Sequence, residues 1–395
     1  MLRAGTVRRE ALDRYREIID RIEALARERG LSFDPVYFRL TDSDEIAEVA
    51  SMGLPNRFIH WYWGGAYKEL VVQQNKELFS ILELVLNTKP SHAFLRRANS
   101  YLQNVLVIAH VFGHVDFFRN NHWFAKSNKN MLNEAERHAR EIRKYEGVHG
   151  HEKVETLLDA LLTIAGTVNA FERNPAERRK RLMYYLEDKA PLESWEHHVT
   201  QMLREESEYF DLIQRTHIIN EGWATFVEAE LLRDILDTPS WASLSVQLSN
   251  RPAPYTIGYA LFQRIKRERG FDAALEVRTY YEDIRLIDEM LTDEMVRRLD
   301  IFVYDPKEKQ KSYDLQQVKE MLITQKLHKG EPHIEVESGS GPKELLLGHL
   351  EEDRKLDSKR VGLFLKAVHS LWRNPVRLRA NGKVYTYDRR GLSTS

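Results

Sequence analysis

Asn220-Glu221-Gly222-Trp223-Ala224-Thr225-Phe226-Val227-Glu228 sets two carboxylates, Glu221 and Glu228, seven positions apart on one face of a helix. An ionised Glu221 beside Trp223, Ala224 and Phe226 is costly to bury unless a positive charge meets it. Far upstream, His110-Val111-Phe112-Gly113-His114 supplies a histidine pair at i, i+4, so both imidazoles project from one helical turn. Two histidines from one helix and a glutamate from a later helix make a His2Glu set. Such a set binds zinc and leaves a position for water.

Around this centre the composition narrows the classes. The 395 residues are 42% hydrophobic and 10% aromatic, enough for a sizeable core and, as a prior, two or three domains. Lys and Arg number 59 against 60 Asp and Glu, a net charge of -1, which argues against a general nucleic-acid binder. The chain has no Cys, so disulfides, thiolate zinc sites, thiol catalysis and Cys-ligated clusters are excluded. Any metal must be held mainly by His, Asp or Glu. Met1 to Glu17 has no apolar core of a signal peptide, and no run approaches the ~18 apolar residues of a membrane span. A cytoplasmic protein is expected.

Along the chain, residues 7–29 form a helical stripe ended by Gly30, and Thr41-Asp42-Ser43-Asp44 caps a helix through Ala50. Residues 66–86 read as a helix with Glu83 among Leu82, Leu84, Val85 and Leu86. Residues 91–118 read as one long buried helix carrying the histidine pair. Helices are also expected over 130–145, 150–171, 175–189, 193–214, 216–236 and 358–372, and another opens near Tyr255 after Pro252 and Pro254. Phe33 to Tyr37 reads as a short extended piece, and strand-like alternation appears late, at 301–304, 333–336 and 375–387. His138, His149, His151, His197 and His198 lie in charged surroundings and read as surface residues. Glu155 and Asp159 read as an ordinary helix pair, and His60 among Trp61, Tyr62 and Trp63 as a pocket, ligand or packing residue.

His60-Trp61 with Gly64, His110 with Gly113-His114, Phe117-Phe118-x-Asn120-Asn121, Asn220-Glu221-Gly222-Trp223-Ala224, Pro254-Tyr255-x-x-Gly258 and Leu371-Trp372-x-x-Pro375-Val376 occur in that order. Together they resemble the SpoVR family, named for stage V sporulation protein R. The resemblance implies a cytoplasmic protein linked to spore cortex formation or stress response. It also implies partners of the family's gene neighbourhood, a PrkA-type serine kinase and a von Willebrand A-domain protein. A second, local resemblance is to gluzincin metallopeptidases, carried by Glu-Gly-Trp-Ala-x-x-x-Glu over Glu221 to Glu228 and a later Tyr-x-x-Gly. It implies zinc, or another divalent metal, on His110, His114 and Glu221, with Tyr255 donating to a developing oxyanion.

The chain departs from the gluzincin pattern at Val111, where those enzymes carry the general-base glutamate. Glu83, Asp116, Glu155 or Glu228 is then the carboxylate left to handle the proton. The expected fold is mainly α, with a large gluzincin-like helical domain over 1–300 and a smaller α+β domain over 301–395. The leading functional expectation is a metal-dependent hydrolase acting on an amide or peptide-like substrate. The alternatives are a non-catalytic regulator of the kinase system and a carboxylate-bridged two-metal redox protein using Glu83, Glu155 and Glu221 with the histidine pair.

Overall fold

The computed structural model describes residues 12–64, 66, 68, 83–305, 309–328, 332–350 and 356–395. From the N-terminus run α1 (Arg16–Glu28), β1 (Val36–Thr41), α2 (Ser43–Met52), β2 (Glu83–Leu86), β3 (Ser91–Arg96), α3 (Tyr101–Asn120), α4 (Met131–His149) and α5 (His151–Ile164). Then come α6 (Pro175–Lys180), α7 (Leu182–Lys189), α8 (Ser194–Arg215), α9 (His217–Leu232), α10 (Thr238–Ser249), α11 (Ala253–Arg269), α12 (Phe271–Tyr280), α13 (Asp283–Met290) and α14 (Asp293–Arg298). The chain ends with β4 (Val303–Asp305), β5 (Gln310–Ser312), α15 (Leu315–His328), β6 (Ile334–Val336), β7 (Leu345–His349), α16 (Ser358–Trp372), β8 (Val376–Ala380), β9 (Lys383–Asp388) and β10 (Gly391–Thr394). The protein is mainly helical, with small sheets.

Contacts group the chain into two units, each assembled from separated segments. The first takes residues 1–55, 59–132 and 215–323; the second takes 56–58, 133–214 and 324–395. A cut near residue 300 is the boundary that composition suggests; by contacts β4 and β5 group with the first unit, and β6 to β10 share the second with α5 to α7 and most of α4 and α8.

In the first unit, β3 is the centre of a three-stranded sheet, parallel to β1 and antiparallel to β2. Two helix expectations are corrected here. The end of the span expected over 66–86 is a strand, Glu83 to Leu86, while 67 and 69–82 lie outside the described residues; the helix expected over 91–118 divides into β3 and α3. A short apolar run has the same composition in a central strand as in a buried helix, and strand partners on both edges decide it. Ser100 is what starts α3: its hydroxyl accepts from the Gln103 amide at 3.2 Å, and Gln103 Oε1 accepts from the Ser100 amide at 2.8 Å. From Asn104 to Phe118 every residue of α3 is buried, as expected of a helix apolar on all sides.

α9 is almost as fully buried and lies between α3 and α11. Glycines allow that closeness. A Cβ on Gly113 would lie 2.5 Å from Ala224 Cα, and one on Gly222 would lie 2.3 Å from Gly258 Cα. Trp223 is fully buried against Phe226, Phe262 and Phe271, and its indole N–H donates to Asp116 Oδ2 at 2.9 Å. The start of α9 is capped from a distance: Asp283 accepts from the Ile218 and Ile219 amides at 3.0 and 2.8 Å. Asn220 lies inside the helix and is not its cap.

In the second unit the five-stranded sheet runs in the order β10-β9-β8-β7-β6. Only β7 and β8 pair in parallel, and α16 lies between them in sequence. His138 is not a surface residue: it is fully buried, and its Nδ1 lies 2.9 Å from Glu206 Oε1. Arg57 completes that trio through Glu206 Oε2. Charged neighbours on α4 mark its exposed face, while His138 stands on the opposite one. Among the described residues no helix is long and apolar enough to cross a membrane.

Candidate metal centre

α3 brings His110 and His114 to one face, their ring centroids 4.6 Å apart, and α9 sets Glu221 opposite them. Glu221 Oε2 lies 3.4 Å from His110 Nε2 and 3.6 Å from His114 Nε2. Ligands ~2.0–2.1 Å from a tetrahedral zinc ion stand about 3.3 Å from one another. The two carboxylate–imidazole distances are close to that spacing, and all three donor atoms lie within 4.8 Å of one another. Among the described residues they form a group compact enough to hold an ion.

Each histidine is held from behind. His110 Nδ1 is 2.9 Å from Glu228 Oε2, and His114 Nδ1 is 3.0 Å from Asn220 Oδ1. With both acceptors taking an Nδ1 proton, the Nε2 atoms are the ones left to face Glu221. The backing groups differ in charge, one a carboxylate and the other an amide. Arg251 grips the carboxylate through both of its terminal nitrogens, at 2.7 and 2.9 Å.

Burial pushes His114 down to about 4, against the pull of Glu221. Burial also acts to raise Glu221, but His114 and His110 outweigh it and hold the carboxyl at about 2. A neutral imidazole and an ionised carboxylate are the protonation states in which these groups bind a metal.

Glu228 and Asp116, two of the other carboxylates named from the sequence, are taken up by other partners. Glu228 is wholly buried on the Nδ1 side of His110, away from the Nε2 that faces Glu221. Asp116 holds Trp223, the Ser32 amide at 2.8 Å and Arg278 at 3.2 Å, and burial pushes its carboxyl up to about 6 against Arg278. Glu155 belongs to the second unit and pairs with His151 at 3.2 Å. Glu83 lies on β2, opposite Leu95, and its side chain is outside the described residues. Tyr255 is half-buried, its ring stacked 6.0 Å from that of His110.

Three contributors escape a reading of sequence. Asn220 is hidden by its fit to a helix cap. Arg251 sits in an unremarkable stretch before Pro252. His217, whose side chain is 44% exposed, has its Nε2 3.9 Å from Glu221 Oε1. Only His217 leaves a signal, its i, i+4 spacing to Glu221.

A family model described as SpoVR like protein matches residues 9–181 and 167–329. The "Uncharacterized protein YcgB" of Escherichia coli (strain K12) is 27% identical over 331 residues, which cover 65% of this chain and 64% of that protein. The chain thus spans a little under two thirds of the length of this relative. No solved structure matches.

Proposed function

The chain belongs to the SpoVR family, and we propose that it is a divalent-metal-dependent hydrolase acting on an amide or peptide-like bond. One observation carries this reading: the donor atoms of His110, His114 and Glu221 converge within 4.8 Å of one another, Glu221 at 3.4 and 3.6 Å from the two imidazoles. Two imidazoles and one carboxylate, in a chain without thiols, suit zinc. A zinc ion there supplies Lewis acidity toward a carbonyl oxygen and makes a water molecule more acidic.

The chain's own groups do the rest. Glu228 and Asn220 orient the two histidines. We assign Tyr255 to hydrogen-bond the oxygen on which charge develops, and His217 to contact the substrate beside Glu221. The sporulation link implied by the family resemblance makes a cell-wall precursor the first substrate to try. Elemental analysis of the wild type beside His110→Ala and Glu221→Ala tests the centre. About one zinc per chain, absent from both variants, is the expected result. A wild type that takes up no metal even after reconstitution sinks it. Full zinc occupancy with no turnover across an amide and peptide library sinks the hydrolase assignment.

A second reading has an observation of its own. Val111 is fully buried where a general base is expected, and Glu228 is committed to Arg251. The ion would then be structural, and the protein a non-catalytic partner of a PrkA-type serine kinase. A stable kinase complex that forms equally well with Tyr255→Phe and His217→Ala favours this alternative over the hydrolase.

A further inference from the structure

Among the charged groups beside the candidate metal centre, the half-buried Arg251 has no role yet. We infer that Arg251 is a positioning residue for His110, acting through Glu228. For its bearing on metal binding the inference rests on the His2Glu reading above. Arg251 Nη1 donates to Glu228 Oε2 at 2.7 Å and to Thr225 Oγ1 at 3.2 Å, and Nη2 donates to Glu228 Oε1 at 2.9 Å. A planar fork on both oxygens sets the plane of the carboxylate as well as its place. The same Oε2 lies 2.9 Å from His110 Nδ1.

Arg251 Nη1 is also 3.5 Å from that nitrogen, but a guanidinium has no lone pair to offer it. The proton on Nδ1 therefore points at Glu228, and Nε2 is the nitrogen left to face Glu221. Glu228 is wholly buried, so its charge also needs the cation beside it. Without Arg251 the carboxylate would have to take up a proton, turn, or draw in water. Each of these removes the fixed acceptor that selects the His110 tautomer. Arg251 thereby also keeps Glu228 from serving as a general base.

The experiment uses the full-length protein in two states. In the metal-free state, 15N-histidine labelling and long-range 1H–15N correlation report the His110 tautomer, with the resonance assigned by its loss in His110→Gln. The expected wild-type form carries the proton on Nδ1, and Arg251→Ala is expected to lose that preference. In the zinc-loaded state, competition with a chromogenic chelator is expected to show binding about 10- to 100-fold weaker in Arg251→Ala. Arg251→Lys keeps the charge without the fork and is expected to fall between, so it decides the matter if Arg251→Ala does not fold.

A His110 tautomer unchanged in both variants, or in Arg251→Lys alone if Arg251→Ala does not fold, overturns the inference whatever happens to zinc. A wild type that binds no zinc but shows the tautomer change overturns the metal reading and leaves Arg251's hold on His110 standing.

Discussion

Two Arg–Glu–His trios, each around a buried glutamate and one in each unit, are made of the same three side chains and differ in what surrounds them. In the first unit Arg251 and His110 share Glu228; in the second, Arg57 and His138 share Glu206. Both glutamates are at most 1% exposed, and each is met by a guanidinium and an imidazole nitrogen at 2.9 Å. The difference lies at the far nitrogen of each imidazole. His110 Nε2 faces Glu221 at 3.4 Å with His114 alongside. His138 Nε2 lies 3.3 Å from the Arg137 guanidinium, a donor to its lone pair, and 3.8 Å from Glu205 Oε2, with no second imidazole beside it among the described residues. Burying a glutamate calls for a cation and an N–H donor, and either trio meets that need. A candidate site requires in addition a lone pair aimed at other donors.

The contrast is broken most severely at the ligands. His110→Ala and Glu221→Ala are expected to abolish zinc uptake, whereas His138→Ala leaves the zinc content of the folded protein as it was. Elemental analysis after gel filtration reads this, and equal loss in all three variants would erase the distinction between the trios. Next in size is Arg57→Ala, which strands Glu206 in the interior. It is expected to lower stability by about 3–5 kcal/mol in a urea titration, with zinc per folded chain unchanged.

A smaller effect sharpens the first unit alone. Gly258→Ala would set its Cβ 2.3 Å from the Ile218 carbonyl oxygen, so α9 or α11 must shift. The expected cost is about 1–3 kcal/mol, with weaker zinc binding because α9 carries Glu221. Smallest is a pH effect in the second unit. Burial acts to raise Glu206, but Arg57 and then His138 outweigh it and hold the carboxyl below its ordinary 4.5. The unfolded chain then binds the proton more readily. The contribution is fully present above pH 4.5 and is lost as the pH falls through the lower folded value. Urea midpoints measured down an acid series should fall less steeply in Glu206→Gln than in the wild type.

Much of this was legible in the residues. The helix expected over 358–372 is Ser358–Trp372, and 193–214 and 216–236 correspond to α8 and α9. The pairing of His110 with His114 was legible because i, i+4 spacing is a local fact; that Glu221 would join them rested on residue type and the local resemblance. The strand at 91–96 was not, since its apolar residues suit a buried helix equally until β1 and β2 flank it. His138 was misplaced because charged neighbours along a helix say little about the face it buries.

The residues that carry donor atoms, the helices that hold them and the lack of thiols all follow from the chain's own pattern, since each depends on neighbours within a turn or two. Their partners do not. Arg251 reaches Glu228, Asp283 caps α9, Arg57 meets Glu206, and Asn220 turns to His114 instead of capping its helix. Packing decided these, because a buried charge or proton is satisfied by whatever group lies within about 3 Å of it, however far along the chain that group stands.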